Sequence, residues 1–98
     1  MSKPKQRAKP PYEERRFTLI FHYCPEMALI DLVHLLRKKG LVATPPIVIP
    51  VPATQRTIIE GLYAPHKTQR DVTPVVKDWV RRRSRKDSIV IFDQLVDR

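Results

Sequence analysis

The side chains best suited to catalysis or metal binding lie around Cys24, the only cysteine of the chain. His22 stands two residues before it, at the end of a predicted strand, and His34 follows further along. A metal site would need closer ligand pairing on the far side, such as a second C-x-x-C or an H-x-x-x-H. We therefore interpret Cys24 as a structural residue of a strand–helix turn, and we expect no metal site and no cofactor.

Other catalytic arrangements are also incomplete in the sequence. Cys24 beside a helix N-terminus favours a thiolate, but a nucleophile also needs a positioned histidine and an oxyanion site, which the sequence does not specify. Asp31 and His34 stand one helical turn apart, which is typical of the solvated stripe of an amphipathic helix. Gly40 and Gly61 are the only glycines, so there is no glycine-rich phosphate loop. We expect no enzyme and no small-molecule substrate.

Positive charge is the strongest functional signal in the composition. The chain carries 19 Lys and Arg against 10 Asp and Glu, a formal net charge of +9. This excess favours a polyanionic partner, with nucleic acid as the first choice. A membrane surface is disfavoured, because the basic residues do not lie on one face of an apolar helix. The alternative is that the charge only maintains solubility.

The densest basic cluster is the run RRRSRK from Arg81 to Lys86. Cations at a helix C-terminus complement the helix dipole, but three consecutive arginines with two more basic residues exceed that role. Their mutual repulsion favours a bound anion. Nucleic-acid contacts are therefore predicted for Arg81, Arg82, Arg83, Arg85, Lys86, Arg56, Arg37, Lys38, Lys39, Lys67, Arg70, Lys3, Lys5, Arg7 and Lys9.

Two helices are predicted from apolar spacing. Pro25 to Gly40 has apolar residues at helical intervals, a proline suited to the first position and a glycine suited to a left-handed C-cap. The second helix is predicted from Thr73, as N-cap, to roughly Lys86, with Pro74 as its first helical residue. The stretch before it, 64–71, is predicted to be a polar loop.

Four strands are predicted around these helices. Phe17 to Tyr23 alternates on two apolar faces, and Arg56 to Tyr63 contains Gly61, which indicates a bulge or a close approach. The segment 41–54 holds four prolines around an apolar run, so an edge strand or a polyproline-like extended segment is compatible with it, but a central strand is not. Ser88 to Leu95 is the last strand.

The order strand, helix, strand, strand, helix, strand predicts an α+β fold. The economical arrangement is the ferredoxin-like split βαβ sandwich (βαββαβ), a four-stranded antiparallel sheet with two helices on one face. Its strand order 4-1-3-2 places the proline-rich strand on an edge, as that strand requires. Residues 1–14 are predicted to be a disordered basic N-terminal tail and residues 15–98 a single α+β domain.

This topology also predicts where the basic residues gather. The two helices run in opposite directions, so their basic C-termini are expected at opposite ends of the sheet. One pole would hold the tail, Arg15, Arg16, Arg37, Lys38, Lys39, His66, Lys67 and Arg70. The other would hold Arg56, Arg81, Arg82, Arg83, Arg85 and Lys86. We therefore expect two basic poles rather than one basic stripe.

Recognition of bases is not indicated by the third strand. It reads RTIIEGLY and lacks the aromatic pattern of an RNA-recognition sheet. Phe21, Tyr23 and Tyr63 are rings of the kind that more often fill a core. Binding should therefore depend mostly on phosphates.

One short resemblance bears on the type of nucleic acid. IPVPAT at Ile49 to Thr54, followed by APH at Ala64 to His66, resembles segments of a small-subunit ribosomal protein family that has the same split βαβ plan. The long extended hairpin of that family is missing here. The resemblance implies RNA slightly ahead of DNA as the partner.

The alternative function is a protein-binding adaptor or inhibitor of a larger macromolecular machine. The predicted interaction edge is Ile47, Val48, Ile49 and Val51, which could pair with a partner strand or a second copy of the chain. Homodimerisation through an edge or across the open sheet face is a further form of this alternative. With one cysteine and no secretory signal, we expect an intracellular, cytoplasmic location.

Overall fold

A computed structural model describes residues 14–22, 26–84 and 91–98. In chain order its elements are β1 (Arg16–His22), α1 (Glu26–Lys38), β2 (Ile47–Val51), a short 3₁₀ helix (Pro52–Thr54), β3 (Arg56–Leu62), α2 (Gln69–Ser84) and β4 (Ile91–Asp97). The strands form one antiparallel sheet in the order β2-β3-β1-β4. This order, read from the other side, is the predicted 4-1-3-2, so the ferredoxin-like arrangement is confirmed.

The core lies between the sheet and the helical layer. Strand β1 supplies Phe17, Leu19 and Phe21, all fully buried, and both helices pack over them. The helical contribution is Ala28, Leu29, Leu32, Val33 and Leu36 from α1 with Val72 and Val76 from α2. The other side of β1 faces away from the helices, which leaves an open sheet face.

The end of α1 follows its sequence signals. Gly40 has a φ of 70°, the left-handed conformation that a glycine adopts without a Cβ clash. Its N–H donates to the carbonyl of Arg37, and the N–H of Leu41 donates to the carbonyl of Leu36, each at 3.0 Å. This pair of bonds is a Schellman motif, in which the buried Leu41 and Leu36 provide the accompanying apolar contact. The predicted start at Pro25 lies outside the described residues.

The predicted start of α2 is wrong by more than one turn. Thr68, and not Thr73, is the N-cap: its Oγ1 accepts from the N–H of Arg70 at 3.2 Å. In return, the Thr68 N–H donates to Asp71 Oδ2 at 2.9 Å, which completes a capping box. Pro74 therefore lies inside the helix, where its missing N–H removes one helical hydrogen bond. The start at Thr68 also brings Val72, which is fully buried, into the helix.

Strand β4 ends later than predicted, at Asp97 instead of Leu95. Its described part spans Ile91–Asp97, and the predicted start at Ser88 lies outside the described residues. Its pairing with β1 shifts between Ile20 and Phe21, so that Asp93 is an extra residue in the ladder. The last strand thus contains a bulge that alternation of side chains does not reveal.

Gly61 allows a close approach between two strands. The pairing of β1 with β3 is regular there, with Phe17 opposite Gly61, so the expected bulge is absent and the close approach is confirmed. A Cβ at position 61 would lie 2.6 Å from Phe17 Cζ, because the phenyl ring covers the glycine. The same ring lies against Tyr63, with centroids 4.7 Å apart.

We predict that Gly61→Ala lowers the free energy of unfolding by about 1–3 kcal/mol, the usual cost of inserting a methyl group into a filled space. Chemical denaturation measures the change. Combining it with Phe17→Leu should give less than the sum of the two single effects, because the smaller side chain vacates the space. Additive effects would show that the ring contact is not the cause.

Candidate nucleic-acid interface

The C-terminal half of α2 concentrates positive charge around one carboxylate. Asp78 accepts from Arg81 Nη2 at 2.8 Å and from Arg82 Nε at 3.0 Å. The hydrogen bond from Arg81, together with the charges of Arg82 and Lys39, holds the pKa of Asp78 below its usual value. The arginine side chains remain 70% and 79% exposed, so their guanidinium groups can also reach an external anion.

Arg83 differs from its two neighbours because it connects the helices. Its Nη1 donates to Asp31 Oδ2 of α1 at 3.1 Å, and its guanidinium lies 5.6 Å from the centroid of the Trp79 ring. Trp79 in turn meets Phe21 of the core edge-on, at 6.4 Å. A buried Nε of Arg83 has no hydrogen-bond partner among the described residues. The structure therefore gives Arg83 a packing role in addition to its charge.

The corrected start of α2 places further cations on its exposed side. Arg70, Lys77 and Arg81 are all exposed and are separated by seven and four residues, so they follow one side of the helix. We call these three residues the α2 ridge. At ~1.5 Å per residue the ridge extends for about 16 Å. The exposed Lys77 thus lies between the basic residues at the two ends of the helical layer and connects them.

Lys77 was not among the predicted contacts, although the sequence contained its signal. A helix that begins at Thr73 leaves Arg70 in the preceding loop. The helical spacing of Arg70 with Lys77 and Arg81 therefore does not appear in that prediction. The T-x-x-D pattern at Thr68 to Asp71 would have given the correct start.

A groove beside the ridge runs between α2 and β4. Its volume is about 660 Å³, and Arg70 and Lys77 line it together with Thr73 and Gln94. Phe92 and Leu95 provide apolar surface there. β4 is an outer strand of the sheet, so the groove lies along an open side of the molecule.

The other predicted contacts lie at several places. Lys38 and Lys39 are exposed at the end of α1 beside Arg37, while Lys67 and the start of α2 share the same end of the fold. Arg56 is exposed at the opposite end of the sheet, where it lies opposite His22 in the register of β3 with β1. The predicted contacts outside the described residues are Lys3, Lys5, Arg7, Lys9, Arg85 and Lys86.

The rings that the sequence offered for base stacking do not form a stacking surface among the described residues. Phe21 and Tyr63 are buried in the core, as expected, while Tyr23 lies outside the described residues. Phe17 is also fully buried. Contacts to nucleic acid from the described part of the chain would therefore be to phosphates and not to stacked bases.

The predicted interaction edge is only partly exposed. Ile47 and Ile49 are exposed, whereas Val48 packs against the core and Val51 is half-buried. β2 pairs on one side only, with β3, which confirms that it is an edge strand.

The chemistry considered around Cys24 is only partly visible, since Cys24 lies outside the described residues. His22 Nε2 lies 3.1 Å from Asp93 Oδ2, while Asp31 is held by Arg83 and not by His34. Within 14–22, 26–84 and 91–98, no group of three or more His, Cys, Asp or Glu could hold a metal ion. Over the same residues, neither helix has the length and apolar content to cross a membrane.

Comparison of the chain with protein-family models, with curated proteins and with solved structures found no match.

A second polar network lies at the end of the sheet where β1 begins and β4 ends. The Tyr63 hydroxyl donates to Asp97, which also pairs with Arg15 at 3.1 Å. The Arg15 guanidinium lies 5.6 Å from the centroid of the Tyr63 ring. Burial, followed by the hydrogen bond to Asp97, raises the pKa of Tyr63 above its usual value of 10.0.

We predict that this tyrosine makes stability fall at alkaline pH. The folded protein holds the phenolic proton of Tyr63 more tightly than the unfolded protein does. The contribution of this tyrosine to the free energy of unfolding is therefore complete below the pKa of the unfolded state and is lost as the pH rises above it. The free energy of unfolding should therefore fall less steeply above pH 10 in Tyr63→Phe than in the unaltered chain, as measured by urea denaturation over that range. Equal slopes would contradict the assignment.

Proposed function

We propose that the protein binds nucleic acid without catalysing a reaction, through phosphate contacts made by the exposed side of α2. The observation that carries this proposal is the local excess of cations on that helix. Arg81 and Arg82 share the single carboxylate of Asp78, and Lys39 adds its charge nearby. Such an arrangement is destabilised by repulsion unless an anion neutralises it.

The α2 ridge supports the same proposal over a longer distance. Its length of about 16 Å corresponds to roughly five nucleotide steps of 3.4 Å along one strand of a duplex. The neighbouring groove is open and contains the side-chain hydroxyl of Thr73 in addition to the lysine and arginine. A sugar–phosphate backbone lying along α2 would meet cations at both ends and in the middle.

The roles within the cluster differ. Arg81, Arg82 and Lys77 are exposed and would contact phosphates directly. Arg83 would position the end of α2, because it is held between Asp31 and Trp79. Arg37, Lys38 and Lys39 would extend the contact surface along α1.

RNA remains slightly preferred over DNA in this proposal, on the short resemblance to the ribosomal protein family. Among the described residues no exposed aromatic ring is available for base stacking, which supports weak sequence preference. The adaptor alternative has less support, because Pro50 removes a donor from the β2 edge and Val48 is turned into the core.

We predict that the affinity for labelled RNA falls steeply with salt, and that Lys77→Ser makes this dependence shallower. Each lost phosphate contact should reduce the slope of log K against log salt by about 0.7 for a single strand or about 0.9 for a duplex. Arg81→Ser with Arg82→Ser should reduce it by about twice as much. Fluorescence anisotropy with single-stranded RNA, single-stranded DNA and duplex DNA provides the measurement.

Arg16→Ser is the matched control. It also removes one positive charge, but from an exposed residue of β1 on the sheet. We expect its slope to equal that of the unaltered chain. If Arg16→Ser and Lys77→Ser changed the slope equally, only net charge would matter and the α2 ridge would not be the site. No binding to any probe at low salt would refute the function itself.

A further inference from the structure

The middle of the open sheet face is apolar, and neither helix packs against it, whereas Arg98 covers Thr18 at one margin. Its centre is a row formed by Ile49, Ile58 and Ile20 on adjacent strands, continued by Gln94 on β4. Alternation along the strands brings further apolar side chains to the same face, namely Ile47, Val51, Ile91 and Val96. Ile47 is 62% exposed and Ile91 43% exposed. An apolar surface of this kind marks an interaction site.

The carboxylates on this face are paired within the chain. Arg98 donates to Glu60 at 3.3 Å and to Thr18 at 3.2 Å, and His22 lies 3.1 Å from Asp93. The face also carries Arg16 and Arg56, so it is weakly positive, whereas the whole chain carries +9. A second copy would therefore meet less repulsion at this face than at the basic helical layer.

We propose that the open face binds a second copy of this chain, sheet against sheet. Two such sheets would pack about 10 Å apart, in the aligned manner of a β-sandwich. The two-fold axis would lie between the sheets and run across the strands, through the central isoleucine row. This association is separate from nucleic-acid binding and does not depend on it.

The pattern of β3 gives this arrangement complementary charges. Arg56, Ile58 and Glu60 alternate on the open face, with the isoleucine midway between opposite charges. A two-fold axis at Ile58 reverses the strand direction of the second copy. Arg56 of each copy then lies over Glu60 of the other, and the two Ile58 side chains meet at the axis.

The size of the face indicates a weak dimer. Four strands at ~4.8 Å spacing and about seven residues at ~3.3 Å give a flat area on the order of 400 Å² per copy. This is smaller than the ~800 Å² per partner of a standard stable interface. We therefore expect association in the micromolar to millimolar range, strengthened by salt because salt screens the repulsion between two strongly basic chains.

The dimer would present two binding surfaces. With the sheets together, each helical layer faces outward, so that the two α2 ridges lie on opposite sides of the assembly. The two proposed functions can be distinguished by varying the salt concentration. Added salt should weaken nucleic-acid binding and strengthen self-association.

Sedimentation equilibrium of the full chain, from micromolar to near-millimolar protein, tests the proposal. We expect a monomer–dimer equilibrium that Ile58→Lys shifts by more than about tenfold towards monomer, because it buries two charges at the axis. Ile30→Lys is the control, since Ile30 is 42% exposed on α1 and outside the face. Its dimerisation should match that of the unaltered chain. Monomeric protein at the highest concentration, or a loss of dimer only in Ile30→Lys, would overturn the proposal.

A charge exchange tests the two-fold register with surface substitutions that leave the core intact. Arg56→Glu and Glu60→Lys should each weaken the dimer by about tenfold, since each places like charges opposite one another. The double variant should regain most of the lost affinity. Failure of the double variant to recover would refute the proposed arrangement. RNA binding measured on the same samples shows whether the proposed function stands independently of this result.

Discussion

Strand β1 is the element on which the rest of the structure depends. It is paired on both edges, with β3 on one side and β4 on the other. Its helix-facing residues Phe17, Leu19 and Phe21 are completely buried, and each such side chain contributes ~1.5–3 kcal/mol of burial free energy. Both helices take their positions from these three side chains, so the placement of the basic residues also derives from this strand.

The aromatic residues of β1 connect its burial to the two ends of the molecule. Phe17 lies over Gly61 and against Tyr63, whose hydroxyl reaches Asp97 at the end of β4. Phe21, at the other end, meets both Phe92 and Trp79, and Trp79 supports the Arg83 guanidinium. Packing of the core therefore fixes the position of a surface cation. This is the route by which an apolar strand orients the end of a basic helix.

Charge and apolar surface are separated onto opposite sides of the fold. The helical layer carries cations that outnumber the nearby carboxylates, whereas the open sheet face carries fewer cations and a central row of isoleucines. A surface that repels a second copy and one that tolerates it can thus coexist on a small domain. The separation would allow the two proposed binding functions without competition for the same residues.

Local sequence signals were sufficient for much of the fold. The spacing in α1, the left-handed Gly40 and the prolines of β2 predicted these elements because each depends on residues close in sequence. The same reasoning chose the wrong cap for α2, since Thr73 with Pro74 imitates a helix start. The true cap at Thr68 prevails because it also buries Val72 in the core. Because of this error, the prediction did not include Lys77 or the α2 ridge.

The sequence by itself determined the order of the elements, the edge position of β2 and the net positive charge. The tertiary structure decided which cations are exposed and which are used internally. Arg83 reaches Asp31 across 52 positions of the chain, and Arg98 reaches Glu60 across 38. Such contacts form only when β1 has brought the helices and strands together, so neither composition nor periodicity can reveal them. The apolar open face arises in the same way, because the pairing register aligns isoleucines from three separate strands.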